Sequence, residues 1–114
     1  MKYMFLLYNE EDGELDGPPS ADQMAPWMEF GEYTAGVAAQ ESGAALQPSA
    51  TATTVSIRDG KTVTTDGPFV DTKEMVGGYY AFDCENIDVA IDLAAHVPWA
   101  TTGHIEVRPV MDMG

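Results

Sequence analysis

His104, Glu106 and Arg108 alternate near the C-terminal end, so on an extended chain all three project from one face. A histidine, a carboxylate and a guanidinium aligned in this way can bind and protonate an acidic or phenolic substrate. Glu106 and Arg108 can equally pair with a neighbouring strand or a second chain. A second concentration of chemistry surrounds Asp66-Gly67-Pro68-Phe69, where Asp66, Asp71, Lys73 and Glu74 fall within nine residues. There Asp caps a turn, Pro stiffens it and Phe anchors it, and a rigid charged turn suits a pocket rim. On this reading Asp66 or His104 moves a proton and Arg108 holds an anionic group. Phe69, Glu74, Tyr79, Tyr80 and Glu106 line the site.

Other chemistries are less well supplied. His96, the second histidine, reads as a helix-end residue whose cation suits a helix C-terminus. Cys84 is alone, which excludes a disulfide framework and a cysteine metal cluster, and late in a strand it reads as a small core residue. His104 and Glu106 have no third ligand in sequence, so no metal is expected, and no cofactor either. The glycines have the wrong spacing for a phosphate loop or a dinucleotide fingerprint, and no Gly-x-Ser-x-Gly elbow is present.

The elements that must position these groups follow from pattern. Residues 3–8 are aromatic and aliphatic, too short for a helix, and predict a buried strand. Residues 9–19 read as an acidic surface loop. Ser20 with Gln23 forms a capping box, and Met24, Trp27, Met28, Gly31, Ala35 and Ala38 recur as the stripe of a helix, widened by Phe30, Tyr33 and Val37. Pro26 requires either an irregular start or a helix beginning near Ala25, and Gly43 is the expected stop. Residues 44–54 read as an extended connector. Residues 51–57 and 62–65 flank an Asp59-Gly60 turn and predict a hairpin. Residues 76–84 are a strand entered through Gly77-Gly78. Asn86 caps a second helix that buries Ile87, Ala90, Ile91, Ala94 and Val97 and ends at Pro98. Residues 105–110 are a last strand.

Strands and helices in this order predict an α+β fold, a ferredoxin-like βαββαβ plait with an antiparallel sheet and both helices on one face. The other sheet face is left open. Some of Tyr3, Tyr8, Tyr79, Tyr80 and Phe82 must point there, and a homodimer through that face is the expected cover.

Length and composition set the outer bounds. The chain has 114 residues, enough for one domain over 1–114, and 45% are apolar. Nineteen acids face five bases, for a net charge of -14. Lys2, Arg58, Lys61, Lys73 and Arg108 are too scattered for a basic patch, so nucleic acid is excluded as a partner and an anionic membrane surface is disfavoured. No apolar run reaches the length of a membrane span, and the first residues lack the pattern of a secretory leader, so a cytoplasmic protein is expected.

Residues 66–80, Asp66-Gly67-Pro68-Phe69-Val70-Asp71-Thr72-Lys73-Glu74-Met75-Val76-Gly77-Gly78-Tyr79-Tyr80, resemble the signature of the DGPF subgroup of the YCII-related family. Leu46-Gln47-Pro48 before the Thr-rich strand and Gly103-His104-Ile105-Glu106-Val107-Arg108-Pro109 near the end are similar to the same group. The resemblance covers nearly the whole chain. It implies a small cytosolic bacterial protein with a dimeric α+β barrel built from ferredoxin-like subunits. It also implies a pocket between sheet and helix where a His–Asp pair acts in the wider family. One branch of that family dehydrochlorinates a chlorinated hydroxyquinol, and DGPF members are often encoded beside extracytoplasmic-function sigma factors. Residues 20–43 contain no histidine, so the family histidine of the first helix does not transfer. Two functions follow as expectations. One is a small-molecule-binding or accessory protein, linked to sigma-factor signalling, whose ligand is small and anionic or aromatic. The alternative is a cofactor-independent lyase or isomerase acting on an aromatic or lactone metabolite by acid–base catalysis.

Overall fold

A computed structural model describes residues 1–11 and 19–114. Most of the loop expected over residues 9–19 lies outside the described residues. The chain forms β1 (Lys2–Glu10), α1 (Ala21–Ala35), β2 (Ala39–Ala45), β3 (Thr53–Arg58), β4 (Lys61–Asp66), β5 (Glu74–Asp83), α2 (Ile87–Ala95) and β6 (His104–Pro109), with short 3-10 turns at Ser49–Thr51 and Pro98–Thr101. Four strands make one antiparallel sheet in the order β2-β5-β1-β6, the ferredoxin-like arrangement. β3 and β4 make a separate two-stranded sheet.

The assignment of the plait's second strand differs from expectation. The hairpin of residues 51–65 stands outside the main sheet, and β2 occupies residues expected to end the first helix and begin the connector. The helix stops at Ala35 with Gly36 as its cap, well before Gly43. Ala39–Ala45 is exposed throughout and has no alternating apolar face, because it is an edge strand held mainly by its backbone bonds to β5. Such a strand leaves little signal in periodicity.

The helix starts follow local chemistry closely. Ser20 accepts from the Gln23 amide while the Gln23 side chain accepts from the Ser20 amide, completing the capping box. Pro26 lies inside α1, which begins at Ala21, so the helix does not start near Ala25. Asn86 Oδ1 accepts from the Val89 amide at the start of α2.

The buried stripes are rotated from those expected. On α1, Phe30 and Thr34 are buried and Trp27 is partly so, while Met24 and Met28 are exposed. On α2, Leu93 joins Ala90 and Ala94, with Val97 beyond the helix, while Ile87 and Ile91 are exposed. Aromatic contacts decide the α1 rotation. Phe30 packs on Tyr80 at 5.2 Å and on Phe82 at 6.1 Å between ring centroids, and Phe5 packs on Phe82 at 5.2 Å. Rings bury more area than methionine and pack with more specific geometry, so they take the inner positions.

Tyr3, Phe5 and Leu7 of β1 face the helices, together with Tyr80 and Phe82 of β5 and Ile105 and Val107 of β6. By alternation Met4, Leu6 and Tyr8, with Tyr79, face the other way. Cys84 is buried in the core as expected. Gly77 is the extra residue of a bulge where the β1–β5 register shifts, and the Trp99 indole fills the space its side chain would take. Among the described residues, no helix is long and apolar enough to cross a membrane.

Candidate functional site

β6 carries its polar residues where alternation puts them. Opposite β1, His104 faces Tyr8, Glu106 faces Leu6 and Arg108 faces Met4, so all three share the sheet face away from the helices. They do not act at one point. Four residues of strand separate His104 from Arg108 by roughly 13 Å. Among the described residues, neither Glu106 nor Arg108 enters a side-chain ion pair.

His104 has a partner across β1. Its Nδ1 lies 2.9 and 3.0 Å from the two carboxylate oxygens of Glu74, the first residue of β5. A carboxylate accepts only, so Nδ1–H donates and Nε2 is left to take or give a proton. The topology creates this pair. β5, β1 and β6 are adjacent, and Glu74 and His104 reach over the same end of β1 from either side. Glu74 is partly sheltered and His104 is largely exposed.

Glu74 is also part of the wall of a cavity of about 630 Å³. The rest of the wall comes from Tyr8 on β1, Met75 and Val76 on β5, and the two connectors that flank the hairpin, residues 46–52 and 68–72. Apolar Leu46, Pro48, Pro68, Val70, Met75 and Val76 dominate, with Gln47, Ser49, Thr51 and Thr72 adding neutral polar groups. The cavity is held from below by local bonds: the Gly67 amide donates to the Ala52 carbonyl at 2.7 Å, and the Thr54 hydroxyl to the Gly67 carbonyl at 2.8 Å. Gly67 takes a φ of 99°, which an L side chain rarely adopts. The glycine of the tetrapeptide is thus needed to bring the two connectors together.

The expected site residues are distributed unevenly around this geometry. Glu74, expected among the residues that line the site, meets His104, one of the two expected proton carriers. Asp66 ends β4 opposite Thr53, is exposed, and among the described residues its carboxylate has no hydrogen bond. Phe69 is 86% exposed, so it is not the anchor its type suggests. Tyr80 turns inward against Phe30 and belongs to the core, where burial raises its pKa above the ordinary tyrosine value. Tyr79 lies on the open face opposite Leu6, outside the cavity wall, as do Glu106 and Arg108. Tyr8, Met75 and the residues around Pro48 were not foreseen as site residues. Their one signal was Leu46-Gln47-Pro48, which the family resemblance had singled out. Among the described residues no three of His, Cys, Asp and Glu converge as metal ligands.

His96 does end α2, as expected. It stacks on Tyr33 of α1 at 3.9 Å, and its Nδ1 lies 2.7 Å from the Asp92 carbonyl. Tyr33 donates to the Asp92 carboxylate, and that bond is the main reason its pKa is raised. The cluster clasps the two helices on their outer side, away from the cavity.

An antiparallel plait with helices on one face, and a cavity at one end of the other, defines a small α+β protein with a ligand-sized recess beside Glu74. The chain belongs to the YCII-related family, whose domain matches residues 1–114. It is similar to an uncharacterized protein of Rhizobium meliloti (strain 1021), 34% identical over 114 residues that cover 96% of this chain and 92% of that relative.

Proposed function

We propose that this chain binds a small, uncharged or cationic, largely apolar molecule in the cavity beside Glu74. The observation that carries the proposal is the wall itself. It has the volume of a small-ligand site, and its one carboxylate is unopposed by any cation in the wall. A net charge of -14 adds a repulsive field against anions. A neutral aromatic or lactone-like ligand therefore fits better than an anionic one, and Arg108 stands at the far end of β6. The DGPF signature over residues 66–80 belongs to the same proposal, since Pro68, Val70, Thr72 and Glu74 of that stretch line the cavity. A cytoplasmic setting is consistent with a lone free cysteine.

The test is a thermal-shift screen of neutral phenols and lactones against their carboxylate analogues. Ligand at a hundredfold its dissociation constant adds about 2.7 kcal/mol to stability. Neutral hits weakened by Glu74→Gln and indifferent to Arg108→Ala are expected. Hits confined to carboxylates, and lost in Arg108→Ala, would transfer the site to the Arg108 end of the open sheet face, opposite Met4.

The His104–Glu74 bond favours a second reading, acid–base catalysis of an elimination or isomerisation. Glu74 or His104 Nε2 takes a proton from a carbon or hydroxyl of the bound molecule, and the pair shares the resulting charge. On a chlorinated hydroquinone the pair would first move one hydroxyl proton to the ring carbon that carries chlorine, giving the keto tautomer; removal of the second hydroxyl proton then drives its electron pair through the ring to expel chloride and leave the quinone. Positioned general bases contribute about 10²–10⁴-fold, so Glu74→Gln and His104→Asn should each lower turnover by that order. Full turnover in both would remove the catalytic reading and leave binding intact.

A homodimer through the open sheet face completes the proposal. Met4, Leu6 and Tyr79 face away from the helices there and are half-buried within the chain. A second copy would cover them with an identical surface.

A further inference from the structure

The β3–β4 hairpin is a two-stranded sheet of its own, and among the described residues no other element packs substantially against it. Its turn is well made: Asp59 at φ 52° and Gly60 at φ 74° are the two left-handed residues that match the twist of a tight hairpin. Its surface is less self-sufficient. One side presents Val55 and Ile57, 61% and 66% exposed, with Thr62 and Thr64 opposite them. A lone hairpin is marginal in water, and a face of exposed β-branched residues makes the isolated state costlier. The molecule is correspondingly long. Its radius of gyration is 16.2 Å, whereas a compact chain of this length would have about 13 Å.

Charge singles the hairpin out further. Thr53–Asp66 holds Arg58 and Lys61 against Asp59 and Asp66, so it is neutral in a chain of net charge -14. Arg58 and Lys61 are directly paired at its tip, and among the described residues neither takes part in an ion pair. By contrast Lys2 pairs with Glu41 and Lys73 with Glu10. A neutral arm with a basic tip and an apolar side is complementary to a strongly acidic body.

We infer that the β3–β4 hairpin is an arm that docks on a second copy of this chain, burying Val55 and Ile57 and setting Arg58 and Lys61 against the partner's acidic surface. The inference adds a second contact to the proposed sheet-face dimer and can fail separately from it. Arm docking does not depend on the cavity being occupied. It would, however, hold the two connectors that wall the cavity, since both lead directly into the arm.

The experiment combines light scattering with amide hydrogen exchange on the full chain at micromolar and near-millimolar concentrations. Three proteins are compared: wild type, Val55→Glu/Ile57→Glu, and Arg58→Glu/Lys61→Glu. All four positions are exposed, and far-ultraviolet circular dichroism verifies that each variant keeps the fold. The expected result is a wild-type dimer whose amides over residues 53–66 exchange at least tenfold more slowly at the higher concentration. Both variants should dissociate at tenfold or more higher concentration and lose that protection. A wild-type dimer whose arm exchanges freely at every concentration would overturn the arm and leave the sheet-face dimer standing. Variants that dimerise like wild type would also overturn it. A monomer throughout would overturn both.

Discussion

At the residue scale, the chain shows how little of a site is decided by residue type. Glu74 and Asp66 are both carboxylates of the same charged turn region, yet one reaches His104 and the cavity while the other stands in solvent. Strand adjacency makes that choice. Buried ionisable groups make a second residue-scale prediction. Burial raises the pKa of both Cys84 and Tyr80 above their ordinary values. The folded state therefore holds their protons more tightly than the unfolded chain does. Their contribution is fully present at neutral pH and is lost as pH rises, first past about 8.5 for the thiol and then past about 10 for the phenol. Urea unfolding midpoints should fall in two alkaline steps, and Cys84→Ser should remove the earlier one. Iodoacetamide should accordingly label Cys84 at pH 8 far more slowly in the native protein than in urea.

At the scale of elements, capping and core side chains leave different marks. The Ser20–Gln23 and Asn86 caps were legible because a cap is a local bond between a side chain and an amide a few residues away. Asn86→Ala should cost about 1 kcal/mol in equilibrium unfolding. The helix stripes were legible in period but not in phase. Met24, Met28 and Ile91 fit the apolar pattern as well as Phe30 and Leu93 do, and only contact with Tyr80 and Phe82 ranks them. β2 was illegible because an exposed edge strand of Ala, Gly and Ser needs its neighbour to be a strand at all. Gly77 belongs to this scale too. Trp99 occupies its side-chain space, so Gly77→Ala should destabilise by about 1–3 kcal/mol through overpacking. A Trp99→Leu background should relieve part of that loss, read from the double-mutant cycle.

At the scale of the whole molecule, a net charge of -14 spread over 49 × 42 × 20 Å is a self-repelling field. Added salt should screen it, so the melting temperature should rise between 10 and 200 mM sodium chloride, and an unchanged value would show the acids to be well compensated locally. The same field bears on ligands, and it is the reason an uncharged or cationic occupant is favoured over an anion.

Some properties were settled along the chain alone: the α+β class, the two caps, the Asp59-Gly60 turn, the alternation of His104, Glu106 and Arg108, and the absence of a basic patch. Each depends on residues within a few positions of one another, or on composition, and needs no long-range contact. The three-dimensional arrangement added which strands are neighbours. It put β5 and β6 on either side of β1, and so brought Glu74 to His104 across 30 residues of chain. It separated the hairpin from the sheet and gave the place of the plait's second strand to Ala39–Ala45. Pairing between distant strands rests on backbone bonds that any residue but proline can make. The residue types carry little record of it, and the site built on that pairing became visible only once the sheet was assembled.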